Sequence, residues 1–150
     1  MKKTILFVIA ISLLFYFVIL SYNRSVVSKN NSDLKKSIQA IDSGAVSLND
    51  IVPFEWDTLY SIEPYKSKEE IEAIVGFKSS YITDNIINEG IVYLIFVKGN
   101  KVVANPSGYP DNLGFSISFP IKNKNFILFS ENAVFNVRKY KNYISLTKTQ

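Results

Sequence analysis

The chain opens with seventeen consecutive positions that carry no charge, Thr4 to Leu20, behind Lys2 and Lys3. Thirteen of them are Ile, Leu, Phe or Val. At roughly −0.3 to −0.6 kcal/mol each on an insertion scale, they favour the bilayer by about 4 to 8 kcal/mol. A helix over residues 4–22 is about 28 Å long, close to the hydrocarbon thickness of a membrane. The pattern therefore predicts a transmembrane signal anchor over residues 1–23. Ser25 to Ser32 (SVVSKNNS) reads as a polar tether, residues 24–32. Residues 33–150 are expected to form one extracytoplasmic domain, since they suffice for a single core and not for two.

Further along, Leu34, Ile38 and Ile41 recur at helical spacing before Gly44, predicting a short amphipathic helix over 32–42. Between Pro53 and Pro64, alternation predicts a strand, Phe54 to Ile62. Phe54, Trp56, Thr58, Tyr60 and Ile62 take one face; Glu55, Asp57, Leu59, Ser61 and Glu63 take the other. Ser67 with Glu70 makes a capping box for a helix whose stripe is Ile71, Ile74 and Val75 and whose stop is Gly76. Ile91 to Val97 is apolar on both faces, which marks a central strand, and Gly99-Asn100 makes a two-residue hairpin into 102–105. Tyr109 to Asn112 reads as a turn or ligand loop. Phe115–Phe119, Phe126–Phe129, Ala133–Val137 and Tyr143–Leu146 read as further short strands. The fold class expected is α+β: an N-terminal transmembrane helix, then a small domain with a mainly antiparallel sheet and one or two helices.

The competing reading of the N-terminus is a cleaved secretory signal. Signal h-regions span about 7 to 15 residues and end in a small-x-small site. The run here is at or past that limit, and the best cleavage candidate is Val26-Val27-Ser28. Arg24, Lys29, Lys35 and Lys36 nearly balance Lys2 and Lys3, but a very short tail with two lysines favours an inside N-terminus. The location expected is the cell membrane, single-pass with the C-terminal domain outside; secretion after cleavage is the alternative. The membrane itself, through residues 4–22, is thus the first partner.

Composition sharpens this by exclusion. The chain has no Cys and no His. Ser-His-Asp and Cys-His catalysis, imidazole acid–base work and ordinary zinc, haem or iron–sulfur ligation are closed to it. An outside domain without disulfides suits a bacterial envelope protein. The six glycines are scattered singly, so there is no phosphate-cradling loop. No cofactor, metal site or catalytic set is expected. Beyond Lys2 and Lys3, 15 Lys/Arg face 13 Asp/Glu, a balance that does not indicate nucleic acid binding.

The carboxylates remain. Glu55, Asp57 and Glu63 share a parity on the Trp56 strand, with Tyr65 at its end, and form the candidate binding surface for a protein or cell-wall partner. Glu55 and Asp57, about 6 to 7 Å apart on one strand face, also fit the separation used by glycosidases. The alternative function is accordingly a carboxylate-dependent hydrolase acting on cell-wall glycan, with Glu55 or Glu63 as acid and Asp57 as base or nucleophile. Against both stands a plainer expectation: a solvated strand face, with Asp57 accepting backbone N–H bonds that pin the turn following it. Asp84, Asn85, Asn88 and Glu89 are oxygen-rich but lack calcium-loop spacing. Ser67 between Lys66 and Lys68 is explained as a helix cap. Arg138-Lys139-Tyr140-Lys141 reads as a hairpin turn, with contact to anionic lipid or wall polymer as the other reading. Tyr65, Tyr81 and Tyr109 lie beside turns, where exposed tyrosines suit protein or glycan contacts.

The stretch Pro53-Phe54-Glu55-Trp56-Asp57-Thr58-Leu59-Tyr60, continuing through Pro64-Tyr65 to Ser67-Lys68-Glu69-Glu70-Ile71, resembles small uncharacterised bacterial envelope proteins. These carry a similar Phe-x-Trp-Asp-x-x-Tyr…Pro-Tyr segment behind a signal anchor or lipoprotein signal. The resemblance implies an envelope location and a small α+β domain, and it brings no activity with it. The chain departs from the lipoprotein-type members in lacking the lipid-bearing Cys.

Overall fold

The N-terminal segments join into one element. In the computed structural model, helix α1 runs Lys2–Gln39 without a break, and its sequence contains neither Gly nor Pro to interrupt it. The structure describes residues 2–84, 89–119 and 125–149, and within α1 the side chains of 7–9, 11–19, 21, 22 and 26 onward. Among the described residues no helix is long and apolar enough to cross a membrane; the longest unbroken run of described side chains in the N-terminal half of α1 is 11–19. Those side chains stand clear of the domain. Phe7, Leu14, Phe15 and Phe17 are 66, 70, 67 and 64 % exposed, and exposed apolar groups from 7 to 19 fall on every side of the helix.

The character of α1 changes at Val27. Val27, Leu34 and Ile38 are buried, one stripe at helical spacing. The predicted tether is therefore helix, and its polar residues are used. Asn30 Nδ2 donates to the Val103 carbonyl at 2.9 Å. Asn31 Oδ1 accepts from Asn105 N–H at 2.9 Å while its Nδ2 donates to Asn105 Oδ1 at 3.2 Å. Asparagines that look like loop composition are here the polar seam between helix and strand edge. The packed unit consequently begins at Val27 and not at residue 33.

After α1 come β1 (Gly44–Ser47), α2 (Leu48–Ile51), β2 (Thr58–Ser61), α3 (Lys68–Val75), β3 (Val92–Lys98), β4 (Lys101–Ala104), β5 (Ser107–Gly108), α4 (Pro110–Leu113), β6 (Phe115–Ser118), β7 (Phe126–Leu128), β8 (Val134–Lys139) and β9 (Ile144–Lys148). They form two sheets, one ordered β1-β8-β9-β6 and the other β4-β3-β2-β7, with β5 also paired to β3. Pairing is antiparallel except for β6 with β9, which run parallel because the chain leaves the first sheet for β7 before returning through β8. The expected α+β class with mainly antiparallel sheets is what the structure has. β1 and β5, too short to show a period, were not in the sequence pattern.

One core cluster draws on both sheets: Leu59, Leu94 and Phe96 from the second, Phe115, Phe135 and Leu146 from the first, with Leu34 and Ile38 of α1. The other face of β3 supplies Tyr93, Ile95 and Val97 to a second cluster, covered by Ile71 and Val75 of α3. β3 is thus covered on both sides, as its continuous apolar run predicts. α1 lies against β4 and β6, the end strands of the two sheets, and closes the core on that side.

The strand expected over 54–62 is shorter, four residues, and its parity is different. Trp56 and Leu59 enter one cluster, Tyr60 and Ile62 belong to the other, so Leu59 is buried where alternation had placed it outward. Trp56 reaches the core from an irregular segment, edge-on to Phe96 and Phe129 with ring centroids 5.8 and 5.4 Å away.

The two halves of α1 should respond differently to truncation. Leu34→Ala is expected to cost about 2–5 kcal/mol of unfolding free energy, and Leu14→Ala less than about 0.5 kcal/mol. Urea denaturation of the full chain in detergent, followed by Trp56 fluorescence, reads both; equal effects would mean that the halves are not distinct.

Candidate functional site

Asp57 precedes β2 and ties three segments together. Its Oδ2 accepts the Gly99 backbone N–H at 2.6 Å, and its Oδ1 lies 3.0 Å from Lys98 Nζ. Its own N–H donates to the Val97 carbonyl at 2.7 Å, and its carbonyl accepts from Phe129 N–H at 2.8 Å. The turn it pins is therefore the β3–β4 hairpin, distant in sequence, not a turn following it. Gly99 there has φ 56° and is the only positive-φ member of the central pair, the first-position glycine of a type II′ turn. The Gly99 N–H, and then Lys98, hold the Asp57 carboxyl below the usual aspartate range.

Glu55 converges on the same lysine, Oε2 to Nζ 3.9 Å, with its side chain 87 % exposed. Glu55, one of the expected acids, has no apolar enclosure, and Asp57, the expected base or nucleophile, already has one oxygen on the Gly99 N–H and the other beside Lys98 Nζ. The other two candidates lie elsewhere. Glu63 and Tyr65 follow the opposite end of β2, and the six residues from Asp57 to Glu63 span up to about 20 Å when extended. The four predicted surface residues thus divide into Glu55 with Asp57 at the hairpin end, and Glu63 with Tyr65 at the far end. Tyr65 is 63 % exposed and has φ 63°, a left-handed conformation uncommon for a residue with a side chain.

Other predicted features settle into structural roles. Ser67 Oγ accepts the Glu70 N–H at 3.3 Å and Glu70 Oε2 accepts the Ser67 N–H at 2.8 Å, completing the capping box. Asp84 Oδ1 accepts the Lys68 N–H at 2.6 Å, a further cap on α3, while Asn85 and Asn88 lie outside the described residues. Among the described residues no three acidic side chains gather to hold a metal ion. Arg138 and Lys139 end β8, and Tyr140 N–H donates to the Tyr143 carbonyl at 2.8 Å, so this basic cluster is the β8–β9 hairpin. Lys139 Nζ lies 3.5 Å from Asp42 Oδ1, just past the C-terminal end of α1.

The structure adds a groove that no sequence period announces, because three distant segments build it. Its volume is about 290 Å³. α1 contributes Tyr22, Val26 and Val27; the segment after α3 contributes Phe77 and Tyr81; β4 contributes Val102. Lys78 and Lys101, both exposed, border it. Neither pairs with a carboxylate among the described residues, whereas Lys98 on the same hairpin is taken by Asp57 and Glu55. Asn105 Nδ2 donates to the Tyr81 carbonyl at 2.8 Å, holding one wall against the Asn31–Asn105 seam.

Two outcomes follow. Because the folded-state pKa of Asp57 lies below its unfolded value, its contribution to stability is complete above about pH 4 and is lost as pH falls through the lowered value. Asp57→Asn is expected to flatten the acid side of the stability profile, measured as urea midpoints along a descending pH series; an unaltered profile would show the clasp to be idle. Tyr65→Gly should raise unfolding free energy by up to about 1 kcal/mol through relief of the left-handed backbone. A lower thermal midpoint instead would mean that the exposed ring packs. Comparison of the chain with protein-family models, with curated proteins and with solved structures finds no match.

Proposed function

We propose that the protein is a membrane-tethered, extracytoplasmic interaction module of the bacterial cell envelope, without an enzymatic reaction of its own. The observation that carries this reading is the composition of α1. Among the described residues its N-terminal half presents exposed apolar side chains on all sides, and its C-terminal half is built into the domain core. A helix apolar all round needs a lipid or protein environment, and the charge-free run Thr4–Leu20 has the length for lipid.

Retention of the anchor is favoured over cleavage. Processing near Val26-Val27-Ser28 would cut inside a helix and remove Val27, which is 5 % exposed. An interaction role is favoured over hydrolysis because the carboxylates are occupied in holding the hairpin or lie at opposite ends of β2. The end of the domain bearing Tyr65, remote from the hairpin, is the part of the predicted surface a protein or cell-wall partner would reach from outside.

Fractionation tests the reading. The full-length chain is expected in the pellet after alkaline carbonate extraction, with protease removing the C-terminal domain only from the outer side of intact membrane. Recovery of the uncut chain in the soluble fraction after ultracentrifugation would overturn the tether, and a domain protected from outside protease would overturn the orientation.

A further inference from the structure

We infer that the groove between α1, β4 and the segment after α3 is a binding site for an anionic phospholipid of the membrane that holds the anchor. The inference rests on the tether proposed above. From Leu20, the last residue of the charge-free run, to Val26 the helix rises about 9 Å. One interfacial layer is about 5–7.5 Å thick, given a hydrocarbon core of about 30 Å within a bilayer of about 40–45 Å, so Tyr22, about 3 Å above Leu20, falls inside the layer and Val26 just beyond it. Tyr22 then stands at headgroup depth, where aromatic residues concentrate. Tyr22 lines the groove together with Asn100 and Lys101 of the β3–β4 hairpin, so with the tether inserted this end of the groove would meet the lipid surface.

The lining suits a lipid in two parts. Val26, Val27, Phe77 and Val102 offer apolar contact for the upper part of an acyl chain. Lys78 and Lys101 offer two ammonium groups to a phosphate, and among the described residues neither forms an ion pair with a carboxylate. The hairpin carrying Lys101 is set in place by the Asp57–Gly99 bond. Glu55 and Asp57, on the segment before β2, lie beside this hairpin, and both meet Lys98 and are absent from the groove lining. The basic cluster Arg138–Lys141 is not part of this surface. It lies by Asp42, past the end of α1 at Gln39, and from Val26 to Gln39 the helix rises about 20 Å.

The chain has no native cysteine, so single thiols are unique reporters. Full-length protein carrying Ser80→Cys, on the exposed turn next to the groove, is labelled with an environment-sensitive dye. It is reconstituted in phosphatidylcholine vesicles containing spin-labelled phosphatidylglycerol or, in parallel, spin-labelled phosphatidylcholine at the same mole fraction. Quenching is expected to favour phosphatidylglycerol. Each lysine is expected to contribute about fivefold to the preference, so that Lys78→Gln with Lys101→Gln abolishes it and added salt weakens it in the unmodified groove. Equal quenching by both lipids, or a preference that survives both substitutions and high salt, would overturn the site while leaving the tether intact. A parallel label at Leu14→Cys separates the two ideas: quenching there by either lipid is expected from an inserted helix, and none would overturn the tether and the lipid site together.

Discussion

Everything in this molecule depends on the docking of the C-terminal part of α1 between the ends of two sheets. β4 and β6 are end strands with one side unpaired, and an uncovered edge invites wrong pairing. The helix meets both edges. Leu34 and Ile38 fill the core between the sheets, while Asn30 and Asn31 answer the backbone groups of β4 and its extension that no strand satisfies. Ser37 Oγ donates to the Ile51 carbonyl at 2.5 Å and Lys35 Nζ to the Asn112 carbonyl at 3.2 Å, so the same helix also fastens the turns α2 and α4. Apolar burial supplies the bulk of the attraction, and the asparagine seam fixes where along the strand it occurs.

Much of this arrangement was legible in the sequence, for physical reasons that differ by element. A strand covered on both faces must be apolar throughout, so the run Ile91–Val97 announced β3, which the structure places at Val92–Lys98. A capping box is local chemistry, so Ser67 and Glu70 announced α3. The Gly99-Asn100 turn is likewise decided by the backbone of one residue. What failed did so where the partner is remote. Asn30-Asn31 has the composition of a linker, and only β4, more than seventy residues on, makes it helix. Leu59 sits in a strand that contacts two clusters, so a rule written for a sheet with one wet face assigned it the wrong side.

The candidate site shows the same division. Asp57 was readable as a turn-pinning carboxylate beside a buried indole, but nothing local reveals that the turn is the β3–β4 hairpin. Parity alone grouped Glu55, Asp57 and Glu63; the brevity of β2 separates them, since side chains alternate reliably only within paired strand. The groove was invisible because Tyr22, Phe77 and Val102 meet only after the sheet has formed. Lys78 and Lys101, which form no ion pair among the described residues, are distinguished from Lys98 by the position of Glu55 and Asp57 before β2.

The absence of Gly or Pro from α1 has a mechanical consequence. On the proposed tether the domain would have no swivel, since the rod set in the bilayer would also be a member of the core. Membrane helices lean by about 20° on average, and from Leu20 to Gln39, the end of α1, the lever is about 29 Å long. A lean of that size would carry the outer end of the domain sideways by about 10 Å. Bilayer thickness, which governs the lean, would therefore steer what the Tyr65 end can touch.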